Sequence, residues 1–118
     1  MTPSWVGVCA FDRLLRDRGV CALVGTRQVA VFRTSPDDAV HAISNYDPFS
    51  RAFVISRGIV GSKGDSPKVA SPVYKHTFDL RTGRCFEDPT VRLRTYPARV
   101  RDGLVEIAFP DEDGEDSA

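Results

Sequence analysis

The chain has 118 residues, 42% of them hydrophobic and 27% charged, with 9 Gly and 8 Pro. That is one globular domain's worth, long enough to bury a core without a metal or disulfide staple. No apolar run approaches the ~20 residues of a membrane helix, and the short apolar stretch 5–11 meets Asp12 and Arg13, which argues against a signal peptide. Three scattered cysteines (Cys9, Cys21, Cys85) make no disulfide framework and fit a reducing, cytoplasmic compartment. The net charge of zero hides an asymmetry. Residues 111–118 hold five of the sixteen acids and no base, leaving eleven acids against sixteen bases, thirteen of them Arg, in the body. The division expected is one domain over 1–110 and a disordered acidic tail over 111–118.

The body reads as all-β. Residues 5–11 make a first strand, and 12–19 a charged loop or single helical turn. The runs 20–24 and 28–33 are rich in Val and flank Gly25-Thr26-Arg27, a hairpin signal, since Gly supplies the positive φ of tight turns. Residues 39–44 form a fourth strand after the turn residues Ser35, Pro36, Asp37 and Asp38. The stretch 45–72 is punctuated by Gly, Pro, Asn and Asp and offers only 52–55 and 69–70 as short strands. So long a turn-rich region in a small domain points to function. Strands resume at 75–81, before a turn at Thr82-Gly83, and at 91–96, which alternates apolar and basic residues. Residues 98–101 and 104–109 flank Asp102-Gly103, a type I′ signal. Eight or nine short strands and no full-length helix imply a small sandwich or barrel that removes its own sheet edges.

Catalytic chemistry finds little support. Cys9 and Cys21 lie in apolar strand runs, where a thiol is a small hydrophobe with a raised pKa. No nucleophile signature surrounds any cysteine, and His41 and His76 are the two histidines. Gly58-Ile59-Val60-Gly61-Ser62-Lys63-Gly64 is Gly-rich but lacks the Walker spacing and a following helix, so it reads as a mobile loop. Arg92, Arg94, Arg99 and Arg101 alternate with apolar residues, which leaves open one basic sheet face and a small nucleic-acid-binding barrel. Stacking aromatics among them are sparse.

Metal binding is the informative case. Residues 71–83 read Ser-Pro-Val-Tyr-Lys-His-Thr-Phe-Asp-Leu-Arg-Thr-Gly. This closely resembles the second cluster-binding box of Rieske ferredoxin domains, Cys-Pro-x-His followed by an aromatic, Asp-Leu and x-Thr-Gly. Asn45-Tyr46-Asp47 falls where the first box, Cys-x-His, would lie, with residues 48–70 between the two. The resemblance implies that Asn45 and Asp47 stand for the first Cys and His, and Ser71 and Tyr74 for the second. A Rieske centre takes two thiolates on one iron and two imidazoles on the other; an amide, a carboxylate, a hydroxyl and a phenol do not replace that set. The scaffold is kept and the 2Fe–2S cluster is lost, so no metal, cofactor or catalytic residue is expected in this chain.

One family combines that scaffold with absent ligands. The runs 28–33, 45–50, 55–60, 69–75 and 78–85 together resemble the small subunit of the cytoplasmic NAD(P)H-dependent assimilatory nitrite reductase. The resemblance covers about residues 5–109. It implies a Rieske-like β-sandwich or barrel with two projecting former cluster loops, serving as a cofactor-free accessory. The partner is a large subunit that carries FAD, a 4Fe–4S cluster and siroheme and passes electrons from NAD(P)H to nitrite. Neither nucleic acid nor membrane is an expected partner. The loops would present Tyr46, Pro48, Arg57, Tyr74, Lys75 and His76 for docking. Plainer roles stand beside this: Tyr74 as a plug in the space left by the cluster, Asp47 as a turn cap, His76 as a surface or packing residue, Asp79 and Gly83 as turn and register features. A cluster-free module of another oxidoreductase is the main rival.

Overall fold

The computed structural model describes residues 4–109; the expected acidic tail 111–118 lies outside them. The strands, in chain order, are β1 (Ser4–Ala10), β2 (Arg18–Val24), β3 (Arg27–Thr34), β4 (Ala39–Ser44), β5 (Tyr46–Asp47), β6 (Ala52–Phe53), β7 (Ile59–Lys63), β8 (Ser66–Ala70), β9 (Thr77–Asp79), β10 (Thr95–Tyr96), β11 (Ala98–Arg101) and β12 (Leu104–Phe109). Short 3₁₀ turns at Phe11–Arg13 and Ile55–Arg57 are the only helical elements among the described residues. The strands form antiparallel sheets ordered β1-β12-β11, β10-β4-β3-β2 and β7-β8-β9, with β5 and β6 paired by themselves.

Strand β3 explains the layering. Val29, Ala30, Val31 and Phe32 form an unbroken apolar run and are all fully buried, as expected for a strand covered on both faces. Val29 and Val31 face a core shared with Leu14, Ala42, Tyr96, Val105, Ile107 and Phe109. Ala30 and Phe32 face a second core with Ile43, Ile55, Val69, Phe78, Leu80, Cys85 and Leu93. The β10-β4-β3-β2 sheet is therefore the middle layer. The β1-β12-β11 sheet closes one side, and β7-β8-β9 with the loops it carries closes the other.

Turn chemistry fixes the registers. Gly25, at φ 62°, serves a two-residue turn, because Val24 pairs directly with Arg27. Asp102 and Gly103 both have positive φ (55° and 77°) between β11 and β12, the type I′ geometry their sequence implies.

Three expectations are corrected. Residues 58–64 are not a mobile loop: Ile59–Lys63 forms a regular hairpin with Ser66–Ala70 around Gly64 at φ 61°. Only Thr95–Tyr96 of the stretch 91–96 is strand, paired with Ile43 and Ala42; Arg92 makes an isolated bridge to Arg84. Similarly, the expected strand 75–81 shortens to Thr77–Asp79, because the chain before it is used in a loop closed by Ser71 N–H donating to the His76 carbonyl (2.8 Å).

Candidate functional site

The two loops singled out in the sequence lie side by side at one end of the layers. The first leaves β4. Asn45 is 2% exposed and acts as a hub. Its N–H donates to the Gln28 carbonyl (3.0 Å), and its carbonyl accepts from Ile55 N–H (3.1 Å). Its Oδ1 accepts from Ser56 N–H (2.7 Å), while Nδ2 donates to Gln28 Oε1 (3.1 Å) and contacts Cys21 Sγ (3.6 Å). A short amide is suited to this place, since it donates and accepts at once.

Asp47 is fully buried. Its Oδ1 accepts from Phe49 N–H (2.9 Å) and Ser50 N–H (3.4 Å), an Asx turn that lets the chain reverse after Pro48. Its Oδ2 accepts from Ser71 Oγ at 2.5 Å, between two side chains that are 0% and 1% exposed. This bond joins the first loop to the second. A further contact doubles it: the Phe49 ring stacks on the His76 ring, centroids 3.6 Å apart and planes within 3°. The left-handed residues Arg51 (φ 59°) and Lys75 (φ 69°) turn the two loops at their far ends.

What the clasp leaves outside is apolar and cationic. Tyr74 is 63% exposed, Val73 44% and Phe53 43%. Pro48, Arg51, Arg57, Pro72 and Lys75 are also exposed, and the half-buried Tyr46 packs its ring against Phe53 (5.0 Å, 55°). Asp47 is the sole acid in residues 44–64 and 70–76, and it is spent inside. Beside Pro48 and Tyr46 a groove of about 230 Å³ is lined by Ser44, Val91, Arg92, Leu93 and Arg94.

Some expectations change here. Tyr74 does not plug the space between the loops; it points to solvent, and Phe49 with His76 fills that position. His76 is therefore a packing residue, half-buried rather than displayed. Asp47 caps its turn and also ties the loops. The basic residues do not share one sheet face. Arg99 lies in the β1-β12-β11 sheet, paired to Glu106 (2.6 Å) and over the Trp5 ring (3.8 Å), while Arg92 and Arg94 precede β10 in a different layer. The sequence reading passed over Phe49, Arg51 and Phe53. Their only signal was two aromatics in an otherwise turn-forming stretch.

The thiols lie away from the loop tips. Partial burial pushes the pKa of Cys9 and Cys21 up; burial is also the largest influence on Cys85 and leaves it raised. None is a poised nucleophile. Among the described residues no group of three or more His, Cys, Asp or Glu side chains is arranged to hold a metal.

Residues 4–108 match the family model of the Rieske-like [2Fe-2S] domain. The chain is 45% identical over 104 residues to the nitrite reductase (NADH) small subunit of Escherichia coli strain K12, covering 88% of this chain and 96% of that one. It belongs to the nitrite reductase small-subunit family of Rieske-like domains. A nitrite reductase [NAD(P)H] large subunit from Klebsiella oxytoca contains a stretch 39% identical over 101 residues, 86% of this chain and 10% of that one. The solution structure of the family's member from Erwinia carotovora superposes with a TM-score of 0.77 at 45% identity, covering 97% of this chain and 88% of that one. The ferredoxin of carbazole 1,9a-dioxygenase from Nocardioides aromaticivorans superposes with a TM-score of 0.76 at 25% identity, covering 93% and 99%. The family's fold is thus shared with a ferredoxin.

Proposed function

We propose that the chain is the cofactor-free small subunit of a cytoplasmic assimilatory nitrite reductase, and that its clasped tip docks on the large subunit. That subunit carries FAD, a 4Fe–4S cluster and siroheme and reduces nitrite to ammonium with NAD(P)H. The observation that carries this reading is the similarity to small subunits along nearly their whole length. The related stretch inside a large-subunit chain supports it, because the same domain then occurs both free and covalently attached to its partner.

Asn45, Asp47, Ser71 and Tyr74 stand at the positions that hold a 2Fe–2S centre in the resembling ferredoxins, and their donors do not fit one. Asp47 and Ser71 engage each other. The Asn45 amide is committed to Gln28 and Ser56, and Tyr74 faces solvent. Hard oxygen donors in place of two thiolates and two imidazoles do not hold this cluster. No electron step is assigned to this chain. Its residues act by recognition: the clasp holds two loops rigid, and the loops offer Tyr46, Phe53, Val73 and Tyr74 as apolar anchors ringed by Arg51, Arg57 and Lys75. Aromatic and Arg side chains are the residue types that dominate interface energies.

The test is nitrite-dependent NAD(P)H oxidation by the large subunit with and without this chain, paired with a pull-down using Tyr74→Ala plus Lys75→Glu. The expected outcome is activity that rises on addition of the chain, and at least tenfold weaker capture of the folded double variant. Undiminished capture rejects the tip as the docking surface. Activity indifferent to the chain, with no association, favours a different oxidoreductase as partner.

A further inference from the structure

Beyond β9, whose Phe78 bridges to Cys85, the segments 83–85 and 91–93 run antiparallel, and Arg84 stands opposite Arg92. Cys85 N–H donates to the Val91 carbonyl (2.9 Å), and Leu93 N–H donates to the Gly83 carbonyl (2.8 Å). These two bonds flank the Arg84–Arg92 pair and do not join it. It is therefore a non-hydrogen-bonded pair, the kind whose Cα atoms lie about 4.5 Å apart and whose side chains are closest. Cys85 is buried and Val91 packs on the same core, so the alternation turns Arg84 and Arg92 outward, and both are exposed. Like charges placed directly opposite each other repel.

No acid relieves that repulsion. Among the described residues neither guanidinium is paired with a carboxylate. The acids of 79–94 are Asp79, Glu87 and Asp88, and each serves other donors. Asp79 Oδ1 accepts from Arg81 N–H (2.8 Å), Glu87 from Thr77 N–H and Oγ1, and Asp88 Oδ1 from Thr90 N–H and Oγ1. A cavity of about 460 Å³ opens beside the pair, with Asp79, Thr82, Phe86 and Pro89 in its wall. Lys63 Nζ, 4.8 Å from the centre of the Phe86 ring, adds a further cation. Arg92 also lines the groove beside Tyr46 and Pro48, so this surface is continuous with the tip. The tip has the same sign: Arg51, Arg57 and Lys75 are exposed, and Asp47, the sole acid in 44–64 and 70–76, is buried.

We propose that the docking surface runs on from the tip over the Arg84–Arg92 pair, which receives acidic side chains of the large subunit. The proposal rests on the docking reading. A carboxylate set between the two guanidinia accepts charge-assisted hydrogen bonds from both. Repulsion in the free chain then becomes attraction in the complex.

The test is calorimetric titration of the large subunit with the full chain at about 50 and about 300 mM NaCl. The variants are Arg84→Gln plus Arg92→Gln, the tip variant Tyr74→Ala plus Lys75→Glu, and Arg101→Gln on β11 as a control in another sheet. The native chain should bind roughly tenfold more weakly at the higher salt, because exposed charges are screened. At the lower salt the paired arginine variant should bind roughly tenfold more weakly than the native chain and depend less on salt, with Arg101→Gln within about twofold. A paired variant within twofold of the native chain, beside a weakened tip variant, overturns this proposal and leaves docking at the tip standing. No association of the native chain overturns both. Measurements on the chain alone add a second check. Arg84→Gln should unfold in urea at or above the native midpoint, since it removes a repulsion; an earlier midpoint makes the pair structural and overturns the proposal. So does self-association that the paired substitution abolishes, which gives the surface to a second copy. Submillimolar binding of inorganic phosphate that shifts the Arg84 and Arg92 Nε–H NMR signals makes it a small-anion site and also overturns the proposal.

Discussion

Ser71→Ala tests the clasp directly. The Ser71 hydroxyl donates to Asp47 Oδ2 at 2.5 Å where neither residue has more than 1% exposure. A buried hydrogen bond to a carboxylate contributes about 1.5–3 kcal/mol, and deleting the donor leaves an acceptor that water does not reach. The void left by one oxygen is small, so the hydrogen-bond effect dominates. The expected loss is about 2–3 kcal/mol, a fall in Tm of roughly 10 °C for a domain this size. The assay is urea unfolding followed by circular dichroism, with Ser62→Ala on the exposed β7 as a control expected within about 0.5 kcal/mol. A double-mutant cycle with Asp47→Asn isolates the pair and should give a coupling of at least about 1 kcal/mol. Amide exchange should quicken at Ser71 and Phe49, whose N–H groups close the two loops, before it quickens in β3. A Ser71→Ala chain within 0.5 kcal/mol of the native one, or a coupling of zero, refutes the reasoning.

Phe49→Ala removes the ring stacked on His76 and packed toward Phe78; because Phe49 is only half-buried, the cost should be about 2 kcal/mol, below the ~3–5 of a fully buried Phe, and chemical unfolding measures it. Gly83→Ala should be worse. Gly83 sits at φ 81°, and an added Cβ would lie 2.0 Å from the Leu93 carbonyl oxygen, so strain and collision together should cost about 3 kcal/mol or more, read as loss of soluble folded protein or of the unfolding midpoint. Glu87 gives a pH signature. Burial, its largest single influence, pushes the carboxyl up, but hydrogen bonds from Thr77 Oγ1, Thr77 N–H and the Cys85 thiol together outweigh it and hold the pKa at about 2, below the usual 4.5. A folded pKa below the unfolded one stabilises above the unfolded value and is lost as pH falls through the folded one. The stability difference between the native chain and Glu87→Gln should therefore be constant above pH ~5 and shrink from there toward pH 2; a difference independent of pH over that window contradicts the assignment.

Much of this molecule follows from local chemistry. The unbroken run Val29-Ala30-Val31-Phe32 requires burial on both faces. Gly25 and the pair Asp102-Gly103 require tight turns. The spacing of Asn45-Tyr46-Asp47 against Ser71-Pro72-Val73-Tyr74 carries the resemblance to a cluster-binding fold. The strand run and the turns are short-range features, so the residue type and its immediate neighbours decide them. The strand β7 was not legible, because Gly61, Ser62 and Gly64 carry no strand propensity of their own; its ladder to β8, which is itself paired with β9, holds it. Nor could the sequence tell which loop residues point inward. Tyr74 could be a displayed anchor or a plug between the loops; it is exposed, and Phe49 and His76 stack in the inner place. In irregular chain no period sets side-chain direction. Left-handed backbone at Arg51 and Lys75, and long-range bonds such as Ser71 to Asp47, set it instead. The arginines likewise divided between sheets only when β11 joined β12 and the stretch before β10 crossed to another layer. Sequence thus determined the family, while tertiary contacts between residues twenty or more apart decided which surface the two loops present.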